Sequence, residues 1–208
     1  MCRSSRPAKP GGAQALYDSD GRHTRVSTVV HDEGMSTPEA PRVEVSLVPV
    51  DEAVLSLLVQ TATSGAQADE VTPPLTPGWT PERTAWLRAY HRDRRGGLGG
   101  PCGEATWAVL LGGEVVGGAR LRWTDKAGVA DTGLWLVRSA RGAGVGRAAL
   151  TVVLERAAAA GVRIVRAETA VENRGALAVL WHLGFTLGDP RAGRVPAAIT
   201  LRPAEPRA

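Results

Sequence analysis

Apolar and polar positions alternate along Val43–Val50 (VEVSLVPV), a period that predicts a first or edge strand. Asp51 then supplies an N-cap, and Leu55, Leu57, Leu58 and Val59 populate a helix running to about Thr63. The next stretch, SGAQADEVTPPLTPGW, carries Pro73, Pro74 and Pro77 and reads as irregular. Thr80 caps a second helix with Pro81 in its first turn and Trp86, Leu87 and Tyr90 on its apolar face. Its end is marked by Arg92, Arg94 and Arg95, which suit the negative end of a helix dipole, and by the glycines that follow. Ala105–Leu111 and Glu114–Trp123 flank Gly112-Gly113, the pattern of a hairpin with a two-residue turn. After a turn at Lys126-Ala127-Gly128 come a strand over Asp131–Val137, a glycine-rich loop and an alanine-rich helix from Arg147 to about Ala160. Val162–Thr169 alternates as a half-buried strand, Arg174–Leu183 forms a short helix stopped by Gly184, and Val195–Leu201 supplies a last strand. The order is that of one mixed α/β domain over residues 42–204, without internal repeats.

Composition narrows the class more than the fold. Residues 1–41 are rich in Ser, Pro, Gly, Arg and Asp without apolar periodicity, and are expected to be disordered. Met35 is a candidate initiator, which would make residues 1–34 an untranslated addition, with a regulatory tail as the functional alternative. The net charge of +4 comes from arginine, since Lys9 and Lys126 are the only lysines, and the basic residues are scattered among acids. A nucleic-acid binder would cluster them, so no nucleic-acid partner is expected. Cys2 and Cys102 form neither a disulfide framework nor a metal-ligand pattern, and no metal is expected. No apolar run reaches bilayer-spanning length and residues 1–34 lack the core of a signal peptide, so a cytoplasmic protein with no membrane partner is expected.

The chemistry concentrates in LWLVRSARGAGVG, Leu134–Gly146. Gly142, Gly144 and Gly146 leave no side-chain bulk above the loop, so successive N–H groups can converge on an anion at a helix N-terminus, with Arg141 at the mouth. Three readings compete. The glycines could merely make a tight strand-to-helix turn. Alternatively, Gly144-Val145-Gly146-Arg147-Ala148-Ala149 matches the dinucleotide pattern G-x-G-x-x-A, with Glu168 about twenty residues on, where a ribose-binding acid belongs. That fold needs its first glycine directly after the strand, and Arg138-Ser139-Ala140-Arg141 intervene; it also needs further βαβ units, and only 40 residues follow Glu168.

The third reading takes in the whole C-terminal half. Arg141-Gly142-Ala143-Gly144-Val145-Gly146 resembles the R-x-x-G-x-G loop of the GNAT superfamily of N-acetyltransferases. Asn173-Arg174-Gly175-Ala176 followed by Leu183-Gly184-Phe185 is similar to that family's N-x-x-A…L-G-F segment, with the same step from Asn to Phe. The resemblance covers about residues 43–202 in element order, and its specific motifs lie within 134–185. It implies a mixed, mostly antiparallel central sheet flanked by helices and splayed at a slot for acetyl-CoA, the acetyl donor. It further implies that backbone N–H groups of Leu136 and Val137 face the thioester and pantetheine. Those of Arg141, Gly142, Ala143, Gly144, Val145, Gly146 and Arg147 would hold the pyrophosphate, and Asn173 the pantetheine arm, if it is not simply a helix cap.

Acetyl transfer to an amine needs a neutral nucleophile, a stabilised oxyanion and a fate for the leaving thiolate. Where many family members carry a tyrosine, seven residues after the Asn, this chain has Leu180. His182 is the nearby titrating side chain, about 200° around the helix from Leu180. A thiol also leaves readily without a dedicated acid. Trp181 is expected in the core or against the cofactor. Candidate bases are Asp131 and Glu168, at strand ends beside the slot; Glu104 falls in an irregular loop. The first two helices, their connection and the hairpin would wall the acceptor site, with Trp79, Trp86, Tyr90, Trp107, Asp69 and Glu70 suiting a cationic amine. The expected function is direct acetyl transfer to the primary amine of a small molecule, by a monomer or homodimer. The alternatives are a protein or peptide N-acetyltransferase, and a degenerate acyl-CoA-binding sensor or interaction domain, which the missing tyrosine favours.

Overall fold

Two adjacent glycines with positive φ, Gly112 at 56° and Gly113 at 86°, give the twist that a two-residue hairpin requires. They join β2 (Glu104–Leu111) to β3 (Glu114–Trp123). The computed structural model describes residues 44–202. Ahead of the hairpin lie β1 (Val45–Pro49), α1 (Glu52–Gly65), the one-turn α2 (Ala68–Val71) and α3 (Pro81–Asp93). After it come β4 (Val129–Leu136), α4 (Val145–Ala159), β5 (Ile164–Ala170), α5 (Arg174–His182), β6 (Thr186–Leu187) and β7 (Arg194–Thr200). The strands form one sheet in the order β1-β2-β3-β4-β5-β7-β6, antiparallel at every step except β4–β5. The expected mixed, mostly antiparallel sheet flanked by helices is what forms.

Capping fixes where three helices begin. Asp51 Oδ1 accepts from Val54 N–H (2.8 Å), Thr80 Oγ1 from Arg83 N–H (3.3 Å) and Asn173 Oδ1 from Ala176 N–H (3.0 Å). Strand alternation then sorts the core into two layers. Toward α4 and α5 point Leu47, Val109, Leu121 and Leu136, packed on Val145, Val153, Leu180 and Phe185. Toward α1 and α3 points Ala108, packed with Val50, Leu55, Leu58 and Leu87.

Several expectations change in detail. The proline-bearing stretch contains α2, whose Glu70 carboxylate reaches back to Gln67 N–H in a capping box (3.2 Å). Glu104 is the first residue of β2 and is buried, 2% exposed, where an irregular loop was expected. Trp107 shares the face of Ala105 and Val109 and packs toward α4 with the Arg156 guanidinium 5.1 Å from its ring centroid, so it cannot wall an acceptor site under α3. Trp181 is 69% exposed and takes no part in the core, because α5 is one-sided and turns Leu180 inward. The alanine-rich helix starts at Val145, two residues early, since the left-handed Gly144 already serves as its N-cap. β4 starts at Val129, two residues earlier than the alternation indicates, and β5 starts at Ile164, two later. The expectations for residues 1–41, and the boundary at 204, lie outside the described residues.

Candidate active site

The loop between β4 and α4 holds its shape through the left-handed Gly142 and Gly144, at φ 81° and 80°. The first intrahelical bond of α4 runs from Ala148 N–H to Gly144 O at 3.0 Å. The N–H groups of Val145, Gly146 and Arg147 therefore precede the hydrogen-bonded ladder, and no side chain caps the helix. A Cβ at Gly142 would meet nothing within 4 Å, so the space above the loop is open. No acidic residue stands in the first turn, and Arg147 does. This is the donor set, field and volume that a pyrophosphate needs, and the residues fit such a group. The backbone N–H of Arg141 is not part of it: it donates to Arg138 O at 3.2 Å.

The edge of β4 supplies a second set of free groups. β4 and β5 pair in register only at Val129–Ile164, Ala130–Val165 and Asp131–Arg166, although the strands run on to Leu136 and Ala170. Val137 N–H donates to Val116 O at 2.9 Å, so it faces the β3 side and cannot also serve a thioester in the gap. By strand alternation the N–H groups of Leu136 and Leu134 point to the opposite edge, toward the unpaired part of β5. Of the two N–H groups expected to face the thioester and pantetheine, that of Leu136 is on the open edge, and that of Val137 is spent on β3. Leu136 O accepts from Arg141 Nε (3.0 Å) and Nη2 (2.7 Å). The same guanidinium binds both oxygens of Glu70 (3.1 and 2.7 Å), which ties α2 to the glycine loop. Arg141 accordingly holds Glu70's carboxyl below its usual range, more than the opposing effect of burial. Arg141 is a clasp between loop and α2 as well as a charge at the mouth.

Asp131 and Glu168 lie on one face of the sheet, the face of Arg120 and Arg166 and the one on which α1 and α3 pack. Asp131 sits where the β4–β5 pairing ends, with Oδ1 bound by Arg166 Nε at 2.9 Å and Oδ2 3.6 Å from Arg122. Glu168 lies two residues beyond Arg166 and is ion-paired with Arg194. His182 is not brought to them. It ends α5 in the opposite helical layer, exposed, with Nδ1 2.7 Å from Ala178 O of its own helix. Asn173 caps α5 through its oxygen, which leaves its amide N–H groups for a ligand.

Under the end of α3 lies a polar cluster that the strand pattern alone does not single out. Glu104 accepts from the Tyr90 hydroxyl (2.6 Å), Arg94 Nε (2.6 Å) and Arg120 Nη1 (3.3 Å). Burial by itself would raise its pKa, but the tyrosine and the two arginines outweigh this and keep it low. Burial, then the Glu104 carboxylate, push the Tyr90 phenol up, so Tyr90 is a poor proton donor. Trp86 stacks on Tyr90 at 5.0 Å, and the Trp79 indole N–H donates to Ala66 O at 2.9 Å. The carboxylates expected to greet a cationic amine are already engaged: Asp69 with the buried Arg83 at 2.6 Å, Glu70 with Arg141.

Residues 69–185 match the model of the Acetyltransferase (GNAT) family. The chain belongs to the GNAT acetyltransferase family. Solved structures share the fold. The yncA protein of Salmonella typhimurium, determined with its cofactor acetyl-CoA, is 18% identical with a TM-score of 0.58, over 77% of this chain and 96% of that one. RimL, the ribosomal L7/L12 α-N-protein acetyltransferase, determined with coenzyme A, is also 18% identical at a TM-score of 0.58, over 76% and 94% of the two chains. RimJ of Mycobacterium smegmatis, determined with a CoA-disulfide, is 26% identical with a TM-score of 0.56, over 75% of this chain and 81% of its own. A search of curated proteins gives no match. Acetyl-CoA is the donor of this family of acetyltransferases, and the loop geometry described above is of the kind that accepts it. Among the described residues of this acetyltransferase no helix is long and apolar enough to cross a membrane.

Two further features of this acetyltransferase carry no motif in the sequence. Arg120 and Arg122 stand at alternate positions of β3, opposite in facing to Ala119 and Leu121, and that alternation is the signal that could have placed them. Arg138 lines a depression of about 250 Å³ with Ser64, Gly65, Ala66 and Gln67. It joins residues far apart in the chain, so no local pattern announces it.

Proposed function

We propose that this acetyltransferase moves the acetyl group of acetyl-CoA directly to the primary amine of a small molecule. The observation that carries the reading is the conjunction of an uncapped, glycine-lined α4 N-terminus with a β4 edge left unpaired beyond Asp131. Loop N–H groups from Gly142 to Arg147 would hold the pyrophosphate, the Asn173 amide would hold the pantetheine arm, and Leu136 N–H would receive the charge that develops on the acetyl oxygen. The amine nitrogen bonds to the acetyl carbon as the C–S bond breaks. Its proton passes through water to Asp131, or to Glu168 across the gap, and the sulfur leaves as thiolate. With Leu180 buried at the customary tyrosine position and Tyr90 bound to Glu104, unassisted thiolate departure is the route this site favours over protonation by His182. A protein or peptide N-terminus is the second reading, favoured by the fold shared with RimL, the ribosomal L7/L12 α-N-protein acetyltransferase.

Free-thiol release with acetyl-CoA and a panel of amines tests the proposal, with peptides of varied first residue as its second arm. Asp131→Asn and Glu168→Gln should separate the two bases by which one lowers kcat while acetyl-CoA affinity is unchanged.

A further inference from the structure

On the face of the sheet where Asp131 meets the β4–β5 gap, the charge balance is not that of a site for a cationic acceptor. Glu104 is buried and already receives Tyr90 and Arg94 at 2.6 Å each; Arg120 reaches it only at 3.3 Å. Two guanidiniums against one carboxylate leave this cluster with one net positive charge. It resides on the Arg120 side, whose side chain is 37% exposed. The guanidinium lies across Gly133 of β4, where an added Cβ would come within 2.8 Å of Nε. Among the described residues its hydrogen bonding is confined to Nη1, leaving Nε and Nη2 to donate. β4 is also the strand that carries the free N–H groups of Leu134 and Leu136, so a group over Gly133 lies beside that open edge. Farther along the face Arg122 and Arg166 share Asp131, with Asp125 a more distant influence on Arg166.

We propose that Arg120, held over Gly133 by the buried Glu104, binds an anionic group of the acceptor, so that the acceptor is an amine with a carboxylate or similar anion close by. This rests on the acetyl-transfer reading and narrows its substrate. The guanidinium fork suits a carboxylate bidentately, and a half-buried site strengthens the contact relative to water. An α-amino acid and a peptide whose N-terminal residues are acidic share this chemistry. A polyamine or an aminoglycoside lacks it and would meet like charge at Arg120.

The test measures kcat/KM for matched acceptors: free amino acids against their amides, and peptides beginning with acidic, neutral or basic residues. The wild-type chain should prefer the anionic member of each pair about tenfold or more, the scale of one charge-assisted hydrogen bond. The amino acids and the peptides, as separate arms, identify which source is used. Arg120→Gln should collapse that preference through KM, Arg120→Lys should restore part of it, and Gly133→Ala should collapse it with Arg120 intact. Donor affinity, titrated with acetyl-CoA, serves as the reference for a folded site. A preference for neutral or multiply cationic amines, or an equal loss on every acceptor in Arg120→Gln, overturns the proposal. Acetyl-CoA binding without turnover of any amine overturns the transfer reading beneath it, a result distinguishable from an inverted preference.

Discussion

Gly142→Ala separates the folding role of the glycine loop from its binding role. At φ 81° an L-residue is strained, by about 1–2 kcal/mol. For a domain of this size that lowers the unfolding midpoint by roughly 2–8 °C. Nothing lies within 4 Å of the added Cβ, so no steric term from the protein itself is added. The same emptiness is the reason donor affinity should fall much further. The methyl group enters the volume a phosphate would occupy and displaces one or more charge-assisted contacts to backbone N–H groups, at about 1.5–3 kcal/mol each, a tenfold to hundredfold rise in Kd. Gly113→Ala provides the comparison: its φ is 86° and its Cβ space is equally open, but it sits in the β2–β3 turn. Differential scanning fluorimetry should show similar midpoint losses for the two variants. Titration calorimetry with acetyl-CoA should show weakened binding for Gly142→Ala alone. Equal affinity in both variants would refute the loop's assignment as the pyrophosphate site.

Three further perturbations probe the frame around the site. Burial, with a smaller contribution from Arg94, pushes His91 down to about 4 from 6.5, so it is neutral in the fold. The unfolded chain takes up the proton first as pH falls; stability is full above pH 6.5, declines toward pH 4 by about 3 kcal/mol, and is then unaffected by this group. Urea unfolding at several pH values should show that decline in the wild type and its loss in His91→Gln. Gly65→Ala would place a Cβ 2.6 Å from Val137 Cγ1, forcing α1 away from the end of β4; a loss of about 1–3 kcal/mol in urea unfolding is expected, and an unchanged midpoint would contradict the contact. Glu70→Gln removes a negative charge bound to Arg141 beside the loop, at a stability cost of no more than about 1 kcal/mol because the pair is half exposed. Acetyl-CoA should bind several-fold more tightly to it, and weaker binding would contradict a mainly electrostatic role for Glu70.

Short-range signals made most of the architecture legible. The Gly112-Gly113 turn, the Thr80-Pro81 start and the Asp51 and Asn173 caps are local chemistry, and each element they predict is present. The glycine loop was readable for the same reason, since its function lies in backbone groups that only small residues expose. Long-range partnership was not legible. That Val137 N–H is spent on Val116, that Glu70 reaches Arg141 from 71 positions away, and that Glu104 gathers Tyr90, Arg94 and Arg120 all depend on register and packing between distant segments. Trp107 was misplaced because aromatic residues carry no mark of which sheet face they take; the register of β2 decides it. Trp181 stays out of the core, the first of its two expected places, because a short helix packed on one side leaves even a tryptophan exposed. His182 was proposed for its titration and its sequence position, and the layer to which α5 belongs separates it from Asp131 and Glu168.

The central claim is acetyl transfer from acetyl-CoA to an amine across the unpaired edge of β4. Its most direct measurement is free coenzyme A release by the full chain with acetyl-CoA and the acceptor panel, with acetylated product identified by mass spectrometry. Amine-dependent release matched one-for-one by N-acetylated product is predicted. Saturable acetyl-CoA binding with no release above hydrolysis on any amine would contradict it, and would leave an acyl-CoA-binding sensor in its place.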